Sequence, residues 1–240
     1  MAEGIRLLEE SLRHKRLPQT VYFTPSNLAE RAQLLLQKLR DFRVPLLSVS
    51  VRDLNRFSDT ETNQGLIGVF KIPDYGIDRI IRSDPVRILL LDNISDPGNA
   101  GTLLRSALAF GFDTVMVTSN TVEPYNPKVV RSSAGAIFAV NLVDSDPADL
   151  ARLKQKYRYF LWAADIAGED ITATIGEMQR NDKIIVAIGS EAVGLTPPII
   201  KLADRKIRIL HDRRVESLNA AVAGSIIMRE IYHSNIELKK

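Results

Sequence analysis

The sequence predicts an α/β protein with a parallel sheet in its C-terminal part and a smaller α/β unit ahead of it. Three observations carry this reading. Apolar runs such as "VRILLLDNI", "TVMVTS" and "KIIVAIGS" are hydrophobic on consecutive positions, as in strands buried on both faces. Stretches of helical character lie between such runs at 99–110, 126–134, 147–156 and 195–203, and strands alternating with helices of that length build a parallel sheet. The stretch "IPDYGIDRIIRSDP", with Pro73, Gly76 and Pro85, separates this region from shorter alternating elements before it.

In chain order, Ile5, Leu8 and Leu12 fall on one helical face. "QTVYF" has the β-branched and aromatic residues of a strand. "NLAERAQLLLQKLRDF" reads as a helix, with Asn27 and Glu30 at capping-box spacing. "PLLSVS", a short helical piece at "RDLNRF" and "GLIGVFK" complete a small unit over residues 1–71. Residues 72–84 form the linker and 85–240 the second domain. There "AIFAVNLV", "RYFLWAADI" and "RKIRIL" join the strands already named. The last helix, opening "SLNAAVAGSIIM" at Ser217, is apolar or small nearly all round, which requires burial in the core or against another subunit.

The chain is 45% hydrophobic and 25% charged over 240 residues, enough for a real core. Its formal charge of +3 is compatible with an anionic partner. With no cysteine there is neither a disulfide framework nor a thiolate zinc site. His14, His211 and His233 are scattered, without metal-ligand spacing. No apolar run approaches the roughly 18 residues of a membrane span, and the charged N-terminus is unlike a secretory signal. A cytoplasmic protein is the expectation.

Three unusual stretches follow strands, where wound sheets bind ligands: "NISDPGNAGTLLRSA", "IVAIGSEAVGL" and "ILHDRRVESLNAAVA". Taken singly each has an ordinary explanation. Gly98 and Gly101 suit turns, Asn99 and Ser217 suit helix caps, and Arg105 and Glu191 suit a solvated surface. "GNAG" is not the dinucleotide fingerprint and no phosphate-binding P-loop is present, which counts against an enzyme built on another nucleotide cofactor.

Together, and in this order, the three stretches resemble the signature motifs of the SpoU (TrmH-type) RNA ribose 2′-O-methyltransferases, of the SPOUT superfamily. "EGIRLLEESL" and "NQGLIGVF" (Asn63 to Phe70) resemble the opening and closing of that family's N-terminal substrate-binding domain. The resemblance implies a C-terminal domain threaded as a trefoil knot, S-adenosylmethionine as the methyl donor, and a homodimer. It puts Gly189, Ile209 and Leu218 at the donor, with Thr118 as a neighbour. Arg105 matches the arginine given a catalytic role, and Asn93 and Asn99 match asparagines of the first motif. Glu191, Ser217 and Asn219 match polar positions of the other two.

Methyl transfer from a sulfonium is an in-line displacement that requires alignment and no metal; aligned pairs can supply roughly 7–11 kcal/mol of the barrier. Family proposals make the arginine a general base. With a pKa above about 12 a guanidinium is a poor base. Orienting the ribose hydroxyl, holding a phosphate and stabilising alkoxide charge suit Arg105 better.

Two departures stand out. Ile209-Leu210-His211 replaces the "IPM" common in the family, and the following loop carries Asp212, Arg213, Arg214 and Glu216 where small residues are usual. The two arginines read equally well as phosphate contacts or as a solvated charge cluster. The N-terminal domain resembles the small ribosomal-protein-like module of many rRNA-modifying members of the family, which implies rRNA rather than tRNA as the partner; a tRNA ribose methyltransferase and a non-catalytic RNA-binding relative are the alternatives. "RHKR" at Arg13 to Arg16, with Arg6, Arg31, Lys38, Arg40 and Arg43, offers a basic face, balanced by Glu9, Glu10, Glu30 and Asp41.

Overall fold

The fold is taken from a computed structural model that describes residues 1–26, 28–58, 64–73, 76–179, 182–212 and 214–237. The described N-terminal residues form a four-stranded sheet in the order β1-β4-β2-β3. Its strands are β1 (Ala2–Glu3), β2 (Thr20–Phe23), β3 (Leu46–Ser48) and β4 (Leu66–Val69). β4 runs antiparallel to β1 and β2, and β3 is parallel to β2. Helices α1 (Ile5–Arg13) and α2 (Glu30–Asp41) bury Leu8, Leu35, Leu36 and Leu39 with Val21 and Leu66 of the sheet. These leucines recur at helical spacing, so one stripe of each helix meets the sheet. α2 starts at Glu30 with Ala29 as its cap residue, later than the capping-box reading expected. Asn27 of that box lies outside the described residues, as does Asn63. Helix α3 (Val51–Phe57) is capped by Ser50, which accepts the Asp53 N–H.

The stretch read as a linker contains helix α4 (Ile77–Ser83). Ile80 is buried in the second domain's core, with Ile77 and Ile81 packed beside it. The i, i+3, i+4 spacing of these isoleucines is a helical signal that the flanking proline and glycine obscured.

The second sheet has six strands, all parallel, in the order β10-β8-β9-β5-β6-β7. They are β5 (Arg87–Leu91), β6 (Thr114–Val117), β7 (Asn141–Asp144), β8 (Tyr159–Asp170), β9 (Lys183–Ile188) and β10 (Arg205–Arg208). The central strands are buried along nearly their whole length, as consecutive apolar positions require. One core contains α5 (Pro97–Ala109), α6 (Pro127–Ser132), α8 (Ile171–Gly176) and α10 (Ala220–Glu237). The opposite core contains α4, α7 (Pro147–Tyr157) and α9 (Pro197–Leu202). The front of "AIFAVNLV" is a 3₁₀ turn over Ala136–Phe138, not strand.

The two sheets belong to one packed body. Ala2 and Leu7 are buried in the same cluster as residues of α5 and α6. The rings of Phe70 and Phe138 lie 4.9 Å apart, and Arg16 Nε donates to the Phe138 carbonyl at 3.4 Å. Gly135, at φ 98°, sits so close to Glu10 that a Cβ would come within 2.5 Å of that side chain. No helix among the described residues is long and apolar enough to cross a membrane.

Candidate active site

Three strands deliver the site. β5, β6 and β9 are paired in register, Leu91 facing Val117 on one side and Ile188 on the other. The next residues, Asp92, Thr118 and Gly189, therefore leave the sheet side by side at its carboxyl edge, where open α/β sheets bind ligands. The ladder continues past the strand ends: Asp92 N–H donates to the Ile188 carbonyl at 3.0 Å and Thr118 N–H to the Leu91 carbonyl at 3.0 Å. Asn93 then turns the chain with φ 61°, a left-handed conformation that asparagine tolerates, and its N–H faces Thr118 Oγ1 at 3.4 Å.

Gly189 opens a tight hairpin. Ser190 and Gly194 exchange backbone hydrogen bonds of 3.1 and 2.8 Å, which leaves Glu191 at the tip. The returning strand is so close that a Cβ on residue 189 would lie 2.4 Å from the Gly194 carbonyl carbon and 2.5 Å from Leu195 N. Only glycine permits that approach. Val193, 72% exposed, and Leu210, 60% exposed, leave apolar surface open on this hairpin and on the loop after β10.

Glu191 is the point on which the motifs meet. Asn99 Nδ2 donates to Glu191 Oε1 at 2.7 Å, Asn219 Nδ2 at 2.6 Å and the Ala220 N–H at 3.1 Å. Asn219 Nδ2 also reaches Asn99 Oδ1 at 3.0 Å. Local structure aims each partner. Asp96 caps α5 by accepting the Asn99 N–H at 2.7 Å, with Pro97 at the first helical position, which fixes Asn99 in the first turn. Asn219 caps α10: its Oδ1 accepts the N–H groups of Ala221 and Val222 at 3.0 and 3.1 Å, so its amide nitrogen points away from the helix. The cap was expected at Ser217; the helix starts later and the asparagine takes that role. A carboxylate at the start of α10 is also favoured by the helix dipole.

The other expected residues fall around this cluster. Ile209 is half-buried against the core and its carbonyl meets His211 Nδ1 at 3.0 Å. Leu218 is half-buried and Ser217 exposed, both ahead of α10. Arg214 folds back on Asp212, with contacts of 2.9 and 3.1 Å that hold this carboxyl below its usual range. That favours a local charge pair for Arg214; Arg213 lies outside the described residues. Arg105 is exposed on α5 and makes no hydrogen bond or ion pair among the described residues. It stands six residues beyond Asn99, about 9 Å along the helix and roughly 120° around it. Within one chain the helix thus turns Arg105 away from the Asn99 side. Asp92 was not singled out in the sequence. It is fully buried, and its carboxylate accepts from Thr118 Oγ1 at 2.9 Å and from the Thr196 N–H at 2.6 Å. The available signal was an acidic residue directly after "ILLL".

A cleft of about 530 Å³ lies elsewhere, against Gly168, Glu169, Glu177, Arg205 and Lys206. Its side chains are already paired, Lys206 with Asp165 at 2.8 Å and Arg205 with Glu177. None of the expected site residues lines it.

The chain matches the SpoU rRNA methylase family over residues 86–229 and the RNA 2′-O ribose methyltransferase substrate-binding domain over residues 1–76. It is 30% identical over 233 residues to an uncharacterised tRNA/rRNA methyltransferase of Synechocystis, covering 96% of this chain and 82% of the relative. It is 36% identical over 150 residues to mouse mitochondrial rRNA methyltransferase 3; that match covers 60% of this chain and only 35% of the longer mouse protein. The SpoU methyltransferase AviRb of Streptomyces viridochromogenes, solved with S-adenosylmethionine, superimposes with a TM-score of 0.82 at 25% identity, over 98% of this chain and 90% of that one. An rRNA methyltransferase of Sinorhizobium meliloti has the same fold, with a TM-score of 0.80 at 22% identity over 97% and 86% of the two chains. With both of its parts matched, this chain belongs to the SpoU family of S-adenosylmethionine-dependent RNA methyltransferases.

Proposed function

We propose that the protein methylates the ribose 2′-OH of one nucleotide in a structured rRNA, working as a homodimer. The observation that carries this is the meeting of Asn99, Glu191 and Asn219, one from each motif, at the carboxyl edge of a parallel sheet. Gly189, Ile209 and Leu218 would hold the donor, whose sulfonium supplies an electrophilic methyl when bound. The tight hairpin at Gly189, which any side chain there would spread, and the exposed apolar surface of Val193 and Leu210 suit a ligand held through backbone and apolar contacts. Thr118, tied to Asp92, borders this region from β6.

The nucleophile is a ribose hydroxyl, which is weak until its proton is shared or lost. We assign Arg105 to the ribose and adjacent phosphate, where its guanidinium orients the hydroxyl and stabilises developing alkoxide charge. Its exposure and lack of a partner among the described residues support a side chain kept for a ligand. Asn99, Glu191 and Asn219 order the pocket's rim, Ser217 stands open beside them, and Asn93 shapes the turn that carries the first motif. Residues 1–71 act as the RNA-binding domain and 85–240 as the knotted catalytic domain. The exposed Val193, Leu210, Val215 and Val222 favour a second copy against the loops and α10.

The test is to incubate the protein with methyl-labelled donor and separate rRNA and tRNA pools, then digest with alkali. A 2′-O-methyl group blocks the hydroxyl that cleaves the chain, so the label should appear in alkali-resistant dinucleotides from rRNA. Label in tRNA would redirect the substrate, and label released in mononucleotides would overturn ribose methylation.

A further inference from the structure

We infer that Asp92 is a positioning residue that sets the height of the Gly189–Thr196 hairpin over the strand ends and thereby shapes the donor pocket. This rests on the reading that the donor binds at Gly189. The hairpin is tied to the rest of the molecule at two places. Its tip is held through Glu191 by Asn99, Asn219 and the Ala220 N–H. Its heel is held by the Thr196 N–H, which donates to Asp92 Oδ2 at 2.6 Å.

The other carboxylate oxygen accepts from Thr118 Oγ1 at 2.9 Å, and the Asp92 N–H reaches the Ile188 carbonyl at 3.0 Å. One side chain thus ties the ends of β5 and β6 to the hairpin that leaves β9. Asp92 is 0% exposed and Thr118 9% exposed, so water does not compete for these bonds. A buried acceptor lost from such a set leaves its donors unsatisfied, whereas an exposed one is replaced by solvent.

Thr196 allows a clean test. Its backbone, φ −67° and ψ 149°, already has the shape proline imposes. Thr196→Pro therefore leaves φ at residue 196 unforced but replaces the donated hydrogen with the ring Cδ, which must push the Asp92 carboxylate away and release the heel, and Thr196→Ala keeps that N–H while removing the side chain. Asp92→Asn keeps the shape: its oxygen can accept from Thr196 and its NH₂ can donate to Thr118 Oγ1. Asp92→Leu removes both acceptors.

Calorimetry with S-adenosylmethionine and steady-state assays with rRNA read the effect. Thr196→Pro and Asp92→Leu should weaken donor binding about tenfold or more, the scale of one buried unsatisfied group. The KM for RNA should stay unchanged, which general destabilisation would not spare. Thr196→Ala and Asp92→Asn should keep wild-type donor affinity. The inference is overturned if folded Thr196→Pro binds the donor as wild type does, or if Asp92→Asn or Thr196→Ala loses as much as Thr196→Pro. Asp92→Leu that fails to fold leaves the proline variant to decide. Wild-type protein that binds the donor without protecting the 189–196 amides from exchange would sink the underlying site reading instead.

Discussion

Asn219 donates to Glu191 at 2.6 Å, across 28 residues of chain, while its other side-chain atom caps α10. The same amide that starts the helix orients the carboxylate at the site. Fold stability and site geometry are therefore coupled here.

Asn219→Ala should lose both roles. Removing an N-cap costs about 1 kcal/mol, read as a lower urea midpoint. Methyl transfer should fall far more than this loss of stability explains. Glu191→Gln should keep one acceptor oxygen and lose the charge at the α10 start, costing about 0.3–1 kcal/mol. A stability change no larger than this, with a clear drop in turnover, would match the arrangement; unchanged turnover would contradict it.

Arg105→Ala should abolish most methyl transfer while leaving donor affinity intact, because the guanidinium is assigned to the RNA side. Arg105→Lys should remain impaired, since an ammonium cannot reproduce the planar fork of donors. Calorimetry and label transfer measured on the same preparations separate the two effects. Near wild-type turnover in Arg105→Ala would remove this residue from the catalytic set.

Helix α5 reaches its place because Gly101 has no side chain. A Cβ there would fall 1.9 Å from Ser132 Oγ and 2.7 Å from Ser133 N. Ser132 Oγ in turn donates to the Pro97 carbonyl at 2.9 Å, closing the seam between α5 and α6. Gly101→Ala should overpack this seam and cost about 1–3 kcal/mol. Combined with Ser132→Ala, which clears the nearest atom, part of that loss should return. Thermal unfolding of the single and double variants checks the coupling.

Tyr159 is buried and its hydroxyl donates to the Pro85 carbonyl. Burial, reinforced by the charge of Asp84, raises its pKa. A folded pKa above the unfolded one means stability is full below about pH 10 and is lost as pH rises beyond it. Tyr159→Phe should flatten this alkaline decline while lowering stability at neutral pH by the loss of one hydrogen bond, about 1 kcal/mol. Denaturant titrations at neutral and alkaline pH give the comparison.

The sequence by itself determined the parallel-sheet α/β architecture. Consecutive apolar residues at 88–91, 115–117 and 184–188 can be satisfied only by burial on both faces, so the parallel sheet was legible before any coordinates. The start of α5 was read two residues late, with Asn99 as a candidate cap, because Asp96, Pro97 and Gly98 also suit a turn; the helix begins at Pro97 and Asp96 caps it. Helix α4 was obscured where proline and glycine flank a short isoleucine stripe that becomes helical by packing on the second core. The cap of α10 was misplaced because serine and asparagine both suit that role, and only the position of Glu191 selects between them. Asp92 reads as an unremarkable acidic residue until three strand ends surround it. Those outcomes depend on which distant backbone groups arrive at the same point, and register, crossover and close approach decide that only when the whole chain is folded.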